Sequence, residues 1–189
     1  MVSDLPPHRR TRIHEAAHAV AQVALGMGWP FEVRSDEDSG HNRGFGQNVD
    51  ASTILTSAEW RAFLEGRAIC LLAGAAALQV FGDPDPVAGA DWDRTQAAKA
   101  IAKINDPVVS MNSMYRRALE LVRQHRGSIL RFANALARAD GRLSGWELRA
   151  ALDAALADPS EPARAMVSSA EFIARLRASR PNRQYPPEE

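Results

Sequence analysis

Thr11-Arg12-Ile13-His14-Glu15-Ala16-Ala17-His18-Ala19-Val20 opens a segment that runs to residue 25 with apolar or small side chains at Ile13, Ala17, Val20 and Ala24. Side chains three and four residues apart share one face of a helix, so this spacing predicts a helix over residues 11–25. Gly26 and Gly28 follow, and glycine readily ends a helix. The segment also carries His14-Glu15-x-x-His18. Two imidazoles four residues apart on a helix have Cβ atoms roughly 5–6 Å apart, so both can reach one zinc ion at about 2.0–2.1 Å. Glu15 sits about 100° round the helix from His14, where it lies beside such an ion instead of on it. A carboxylate in that place can take a proton from a water that zinc has acidified to a pKa of about 7, and later pass it to a leaving amine. The same chemistry asks for a third protein ligand. Asp93 qualifies, in the first turn of a predicted helix directly after a loop, but the residues alone leave Asp91, Asp85 and Glu65 open beside it.

Downstream, residues 29–50 turn to glycine, aspartate, serine and aromatics, and two short extended pieces are expected, at 30–34 and 45–49. They would form a small hairpin or a paired edge. Thr56 with Glu59 is a capping-box pattern that opens a long helix to residue 81, where Gly82-Asp83-Pro84 breaks it. Residues 83–89 hold two prolines and two aspartates and predict a loop. Further helices are predicted at 90–104, 112–125, 129–139 and 145–156, the last entered through Ser144 with Glu147 as its capping partner. The fold class is mainly α with a small β element. A lead of residues 1–10 precedes one domain over 11–157, and a proline-containing tail, 158–189, is expected to be partly disordered apart from a short helix near 170–178.

The 189 residues suit one domain, and the 23 basic and 23 acidic side chains cancel. No excess charge exists to draw nucleic acid or an anionic membrane. Cys70 is the single cysteine, which excludes an internal disulfide and favours a reducing, cytoplasmic setting. The most apolar stretch, 69–81, falls short of the ~20 residues a spanning helix needs, so no membrane insertion is expected.

Three stretches together resemble a known family. Residues 11–20 are similar to the zinc helix of the FtsH-type peptidases, the proteolytic part of the membrane-bound AAA proteases. Leu71-Leu72-Ala73-Gly74-Ala75-Ala76-Ala77, with Phe81-Gly82 after it, resembles that family's second helix, Leu-Gly-Gly-Arg-Ala-Ala-Glu ending in Phe-Gly. Gly89-Ala90-Asp91-Trp92-Asp93 resembles the family's Gly-Ala-x-x-Asp segment, whose last Asp is the third zinc ligand. Leu143-Ser144-Gly145-Trp146-Glu147-Leu148 resembles the start of its closing helix, so the likeness runs over residues 11–153 in the family's order. The resemblance implies a helical zinc-peptidase domain with a small hairpin or edge strand. It further implies Zn2+ held by His14, His18 and Asp93, Glu15 as general base, and hydrolysis of peptide bonds.

The sequence departs from that pattern in places. Ala17 replaces a glycine of the zinc helix, and Ala75, Leu78 and Gln79 replace the arginine and acidic residues of the second helix. No Gly-rich loop ending in Gly-Lys-Ser or Gly-Lys-Thr is present. The expectation is a metallopeptidase unit without its own ATPase, cutting unfolded or flexible polypeptide or served by a separate unfoldase ATPase, with an oligomer conceivable by analogy. The alternative is a non-catalytic binding or regulatory protein that retains the peptidase fold. Among other residues, 45–49 is either a strand lining the site or a plain surface hairpin, and His41 is a solvated loop histidine with an oxyanion-stabilising role as the alternative; His8 and His125 are placed as surface residues and Cys70 as a small core residue. Trp92 either walls the cleft or packs between helices, and Arg116, Arg117, Arg123 and Arg126 form a solvated face.

Overall fold

The first helix, α1 (Pro7–Ala24), starts before residue 11 because Pro7 occupies the first helical turn, where its missing N–H leaves no bond unmade. It ends as expected, with Gly26 at φ 69°. This computed structural model describes residues 6–35, 40–43 and 57–157, with β1 (Glu32–Ser35), β2 (Gly40–Arg43), α2 (Ser57–Val80), α3 (Asp91–Ile104), α4 (Met111–Gln124), α5 (Arg126–Arg138), β3 (Arg142–Ser144) and α6 (Gly145–Leu156) following α1. The architecture is mainly helical, with one small antiparallel sheet of strand order β2-β1-β3.

α2 is the centre of the fold. Every residue from Ala68 to Leu78 is buried, because α1, α3 and α4 pack around it. A helix enclosed on all sides needs apolar or small residues all round, which is why 68–78 shows no polar face. Alanines at 16, 17, 19 and 21 on α1 and at 73, 75, 76 and 77 on α2 are buried, and their small size lets helix backbones approach closely. By length and composition α2 would suffice to cross a bilayer, which the shorter stretch 69–81 did not suggest, but 72% of its apolar window is buried inside this fold.

α5 closes the other side of α1, and Ile129, Phe132 and Leu136 contribute fully buried side chains to a core continuous with α2. The chain passes from α4 to α5 at His125 with hardly a break, so α5 begins earlier than residue 129. His125, expected on the surface, is 3% exposed, since the buried faces of α4 and α5 converge at their shared junction.

In the sheet, Val33 pairs with Asn42 on one side and Leu143 on the other, and Val33 and Leu143 are buried. β1 and β2 both pack on α1. The first predicted strand thus exists with its bounds moved to Glu32–Ser35, and the second, 45–49, lies outside the described residues, as do Thr56 and the tail after 157. Strand β3 was not expected, since three residues carry no alternation to detect. Ser144, expected to cap α6, makes no side-chain capping bond there and is paired opposite Glu32 in the sheet. A capping box forms instead at α4, where Ser110 and Ser113 exchange backbone and side-chain bonds.

Candidate metal centre

α1 and α2 run antiparallel in matched steps of one helical turn. His18 meets Cys70, and His14, one turn earlier on α1, meets Gly74, one turn later on α2. The Cys70 carbonyl oxygen can only accept, so the 2.7 Å contact to His18 Nδ1 makes that nitrogen the donor. Neutral His18 then carries its lone pair on Nε2, turned away from α2. Fixing the tautomer through the far ring nitrogen is how proteins orient an imidazole for a metal. His14 gains its place through Gly74: a Cβ there would stand 2.5 Å from His14 Cε1. No larger residue could let the ring lie so near the helix.

The third group arrives on α3. Asp93 lies in its first turn, as the sequence predicted, and its Oδ2 stands 3.1 Å from His14 Nε2 and 3.2 Å from His18 Nε2. The two imidazole nitrogens are 2.9 Å apart, with the rings nearly perpendicular at 80°. Three potential acceptor atoms therefore point at one place. A tetrahedral ion with bonds of about 2.0–2.1 Å keeps its ligand atoms about 3.3–3.4 Å apart, so the triangle suits a small dication with little adjustment. His14, His18 and Asp93 form a group that could hold a metal ion. Of the other carboxylates left open by the sequence, Asp91 and Asp85 are exposed, and Glu65 is bound to Arg61 at 2.9 Å and Arg117 at 2.6 Å.

Electrostatics agrees with the geometry. Burial alone would lower the His18 pKa, but the carboxylates of Asp93 and Glu15 outweigh it and push the imidazole up to about 9. Asp93 is held well below the usual carboxylate range, since the His18 charge and bonds from both imidazoles overcome its burial. His14 is pushed down, chiefly by burial. The centre thus attracts positive charge, a proton in the free protein or a metal ion in its place.

Glu15 is close by but outside this triangle, and only 5% exposed. Burial raises its carboxyl to about 7, with Asp93 adding to the rise and the His18 charge opposing it. Its cover is β2: a Cβ on Gly40 would come within 2.5 Å of Glu15 Oε1, so the strand crosses the carboxyl backbone-first. Because side chains alternate along a strand, His41 faces the opposite side of the sheet, with Glu32, Arg34 and Arg142. It is a strand residue, and an oxyanion role beside Glu15 does not fit that face.

Cys70 is fully buried, which pushes its thiol up and makes it inert, and its contribution is the backbone carbonyl to His18. Trp92 is 67% exposed next to Asp93, so it does not pack between helices. Arg116, Arg117, Arg123 and Arg126 are exposed. Ala75 and Leu78 are buried within α2, while Gln79 is exposed and accepts a 2.7 Å bond from the Tyr115 hydroxyl. Sequence reasoning missed Gly40 and the Cys70 carbonyl: no strand was expected at Gly40–Arg43, so its first glycine carried no signal, and a backbone group leaves none. No protein-family model matches the chain, and no curated protein matches it.

Proposed function

We propose that this chain is a zinc-dependent metallopeptidase of the FtsH-type kind, with His14, His18 and Asp93 as ligands and Glu15 as general base. The observation that carries the reading is the convergence of His14 Nε2, His18 Nε2 and Asp93 Oδ2 within 3.2 Å of one another, with a buried carboxyl on the residue after His14. Two imidazoles and one carboxylate are an ordinary set for catalytic zinc, leaving room for a further ligand. Zinc held there would supply the positive charge that polarises a peptide carbonyl and acidifies a water molecule.

The chain's own residues account for the rest. Glu15, buried beside the ligands, is placed to accept a proton and return it to the departing amine. Asp93 and the Cys70 carbonyl hold the imidazoles in one orientation, so the ligands need little rearrangement. Among the described residues β2 pairs on one side only, with β1, and it crosses directly over Glu15. An extended peptide added along that strand would be held by main-chain hydrogen bonds. The substrate class proposed is therefore unfolded or flexible polypeptide, delivered already extended or by a separate unfoldase ATPase in the cytoplasm.

The test pairs metal analysis with cleavage. Wild-type protein purified without chelator should carry about one zinc and cut a fluorescently quenched unfolded polypeptide. Glu15→Gln should keep the zinc and lose activity by ~10²–10⁴-fold. Undiminished cleavage by Glu15→Gln would overturn the assignment. Zinc binding without cleavage by the wild type would favour a binding protein built on the same centre.

A further inference from the structure

Arg10, His14 and His18 follow one another at intervals of four along α1, so they form a single stripe on one face of the helix. The two histidines meet Asp93. Arg10 meets the loop that leads to it: its Nε donates to Asp83 Oδ2 at 2.7 Å, and its Nη2 donates to the carbonyl oxygens of Asp85 at 2.6 Å and Ala88 at 2.9 Å. We propose that Arg10 is a positioning residue for the metal centre, holding the loop between α2 and α3 so that Asp93 is delivered to His14 and His18. The inference rests on the metal-centre reading above.

The chemistry of the contact suits that task. A guanidinium is planar and presents several N–H donors in a fixed fork, so one side chain can satisfy a carboxylate and two carbonyls together. Asp83 is anchored from a second direction, since its Oδ1 accepts from the backbone N–H of Asp85 at 2.9 Å. Its side chain is only 5% exposed, against 27% for Arg10, so the carboxylate depends on this partner. The loop has no regular hydrogen-bond ladder of its own, and short turns at Asp85–Ala88 and Val87–Ala90 link it to the first residue before α3. Asp93 then follows within the first turn of that helix. Freeing the loop lets the start of α3 drift, and a ligand atom displaced by an ångström no longer completes the triangle.

The test uses the full chain, freed of metal and titrated with cobalt(II), whose visible absorption reports the number and kind of ligands, followed by competition with zinc. Arg10→Ala should bind zinc ~10–100-fold more weakly than wild type, with a cobalt spectrum shifted towards that of Asp93→Ala. Arg10→Lys, a single point charge in place of a fork, should fall between. Asp83→Asn, which keeps the shape of the loop but not its charge, should weaken binding in the same direction and serves if Arg10→Ala does not fold. Wild-type affinity and spectrum in folded Arg10→Ala, or in Asp83→Asn where Arg10→Ala does not fold, would overturn the role of Arg10 alone. Failure of the wild type to bind either metal would overturn the metal-centre reading, and this inference with it.

Discussion

Gly74 and His14 are in direct contact across the α1–α2 interface: a Cβ on Gly74 would stand 2.6 Å from His14 Nε2, the atom that faces Asp93. A methyl group there has no room, because it would meet the ring itself and not the end of a flexible chain. Gly74→Ala should therefore displace His14. Helix propensity alone would favour the alanine by roughly 0.8–1.0 kcal/mol. The expected outcome is a protein that remains helical by circular dichroism but binds zinc at least ~10-fold more weakly in a competition titration. Unchanged zinc affinity would show that the ring can be accommodated elsewhere.

Asp93 is the one acidic member of the triangle. Asp93→Ala should reduce bound zinc from about one per chain to little, measured by mass spectrometry. Because a ligand that binds only the folded state stabilises it by about 2.7 kcal/mol at a hundredfold excess over Kd, zinc should raise the melting temperature of the wild type by roughly 5–10 °C. The same addition should leave Asp93→Ala unmoved.

Glu65 provides a pH prediction away from the centre. Partial burial would raise its carboxyl, but hydrogen bonds from Arg117 and Arg61 outweigh that and hold it below the ordinary value of 4.5. As pH falls, the unfolded chain takes up the proton first. The ion pair therefore stabilises the fold above pH 4.5 and loses that contribution as pH drops through the lower folded value. Both arginines are about half exposed, so the effect is small, ~0.2–1 kcal/mol. Glu65→Gln should lower stability by that amount at pH 7 in urea unfolding, and the difference from wild type should vanish in strong acid.

Phe132 on α5 is fully buried in the core against which α1 packs. Phe132→Ala removes a ring from a close-packed site and should cost ~3–5 kcal/mol in urea unfolding. A loss below about 1 kcal/mol would mean that the α1–α5 interface is not packed as described.

The sequence by itself determined the elements whose signals are local. α6 has its predicted bounds, α3 starts and α2 ends within one residue of expectation, and α1 differs mainly at its start, because three-and-four periodicity, glycine stops and proline breaks act over a few neighbouring residues. It also determined that His14 and His18 share a face with Glu15 beside them, which follows from helix geometry alone. Tertiary structure decided the rest. Asp93, Asp91, Asp85 and Glu65 were equivalent as carboxylates, and they were separated only when α3 packed against α2 and brought Asp93 to the histidines of α1. The short strand β3, the burial of His125, the cover of β2 over Glu15 and the Cys70 carbonyl on His18 likewise depend on segments distant in the chain. Such contacts leave no periodic trace, because what selects them is the space and charge that other elements leave, and that exists only after the chain has closed on itself.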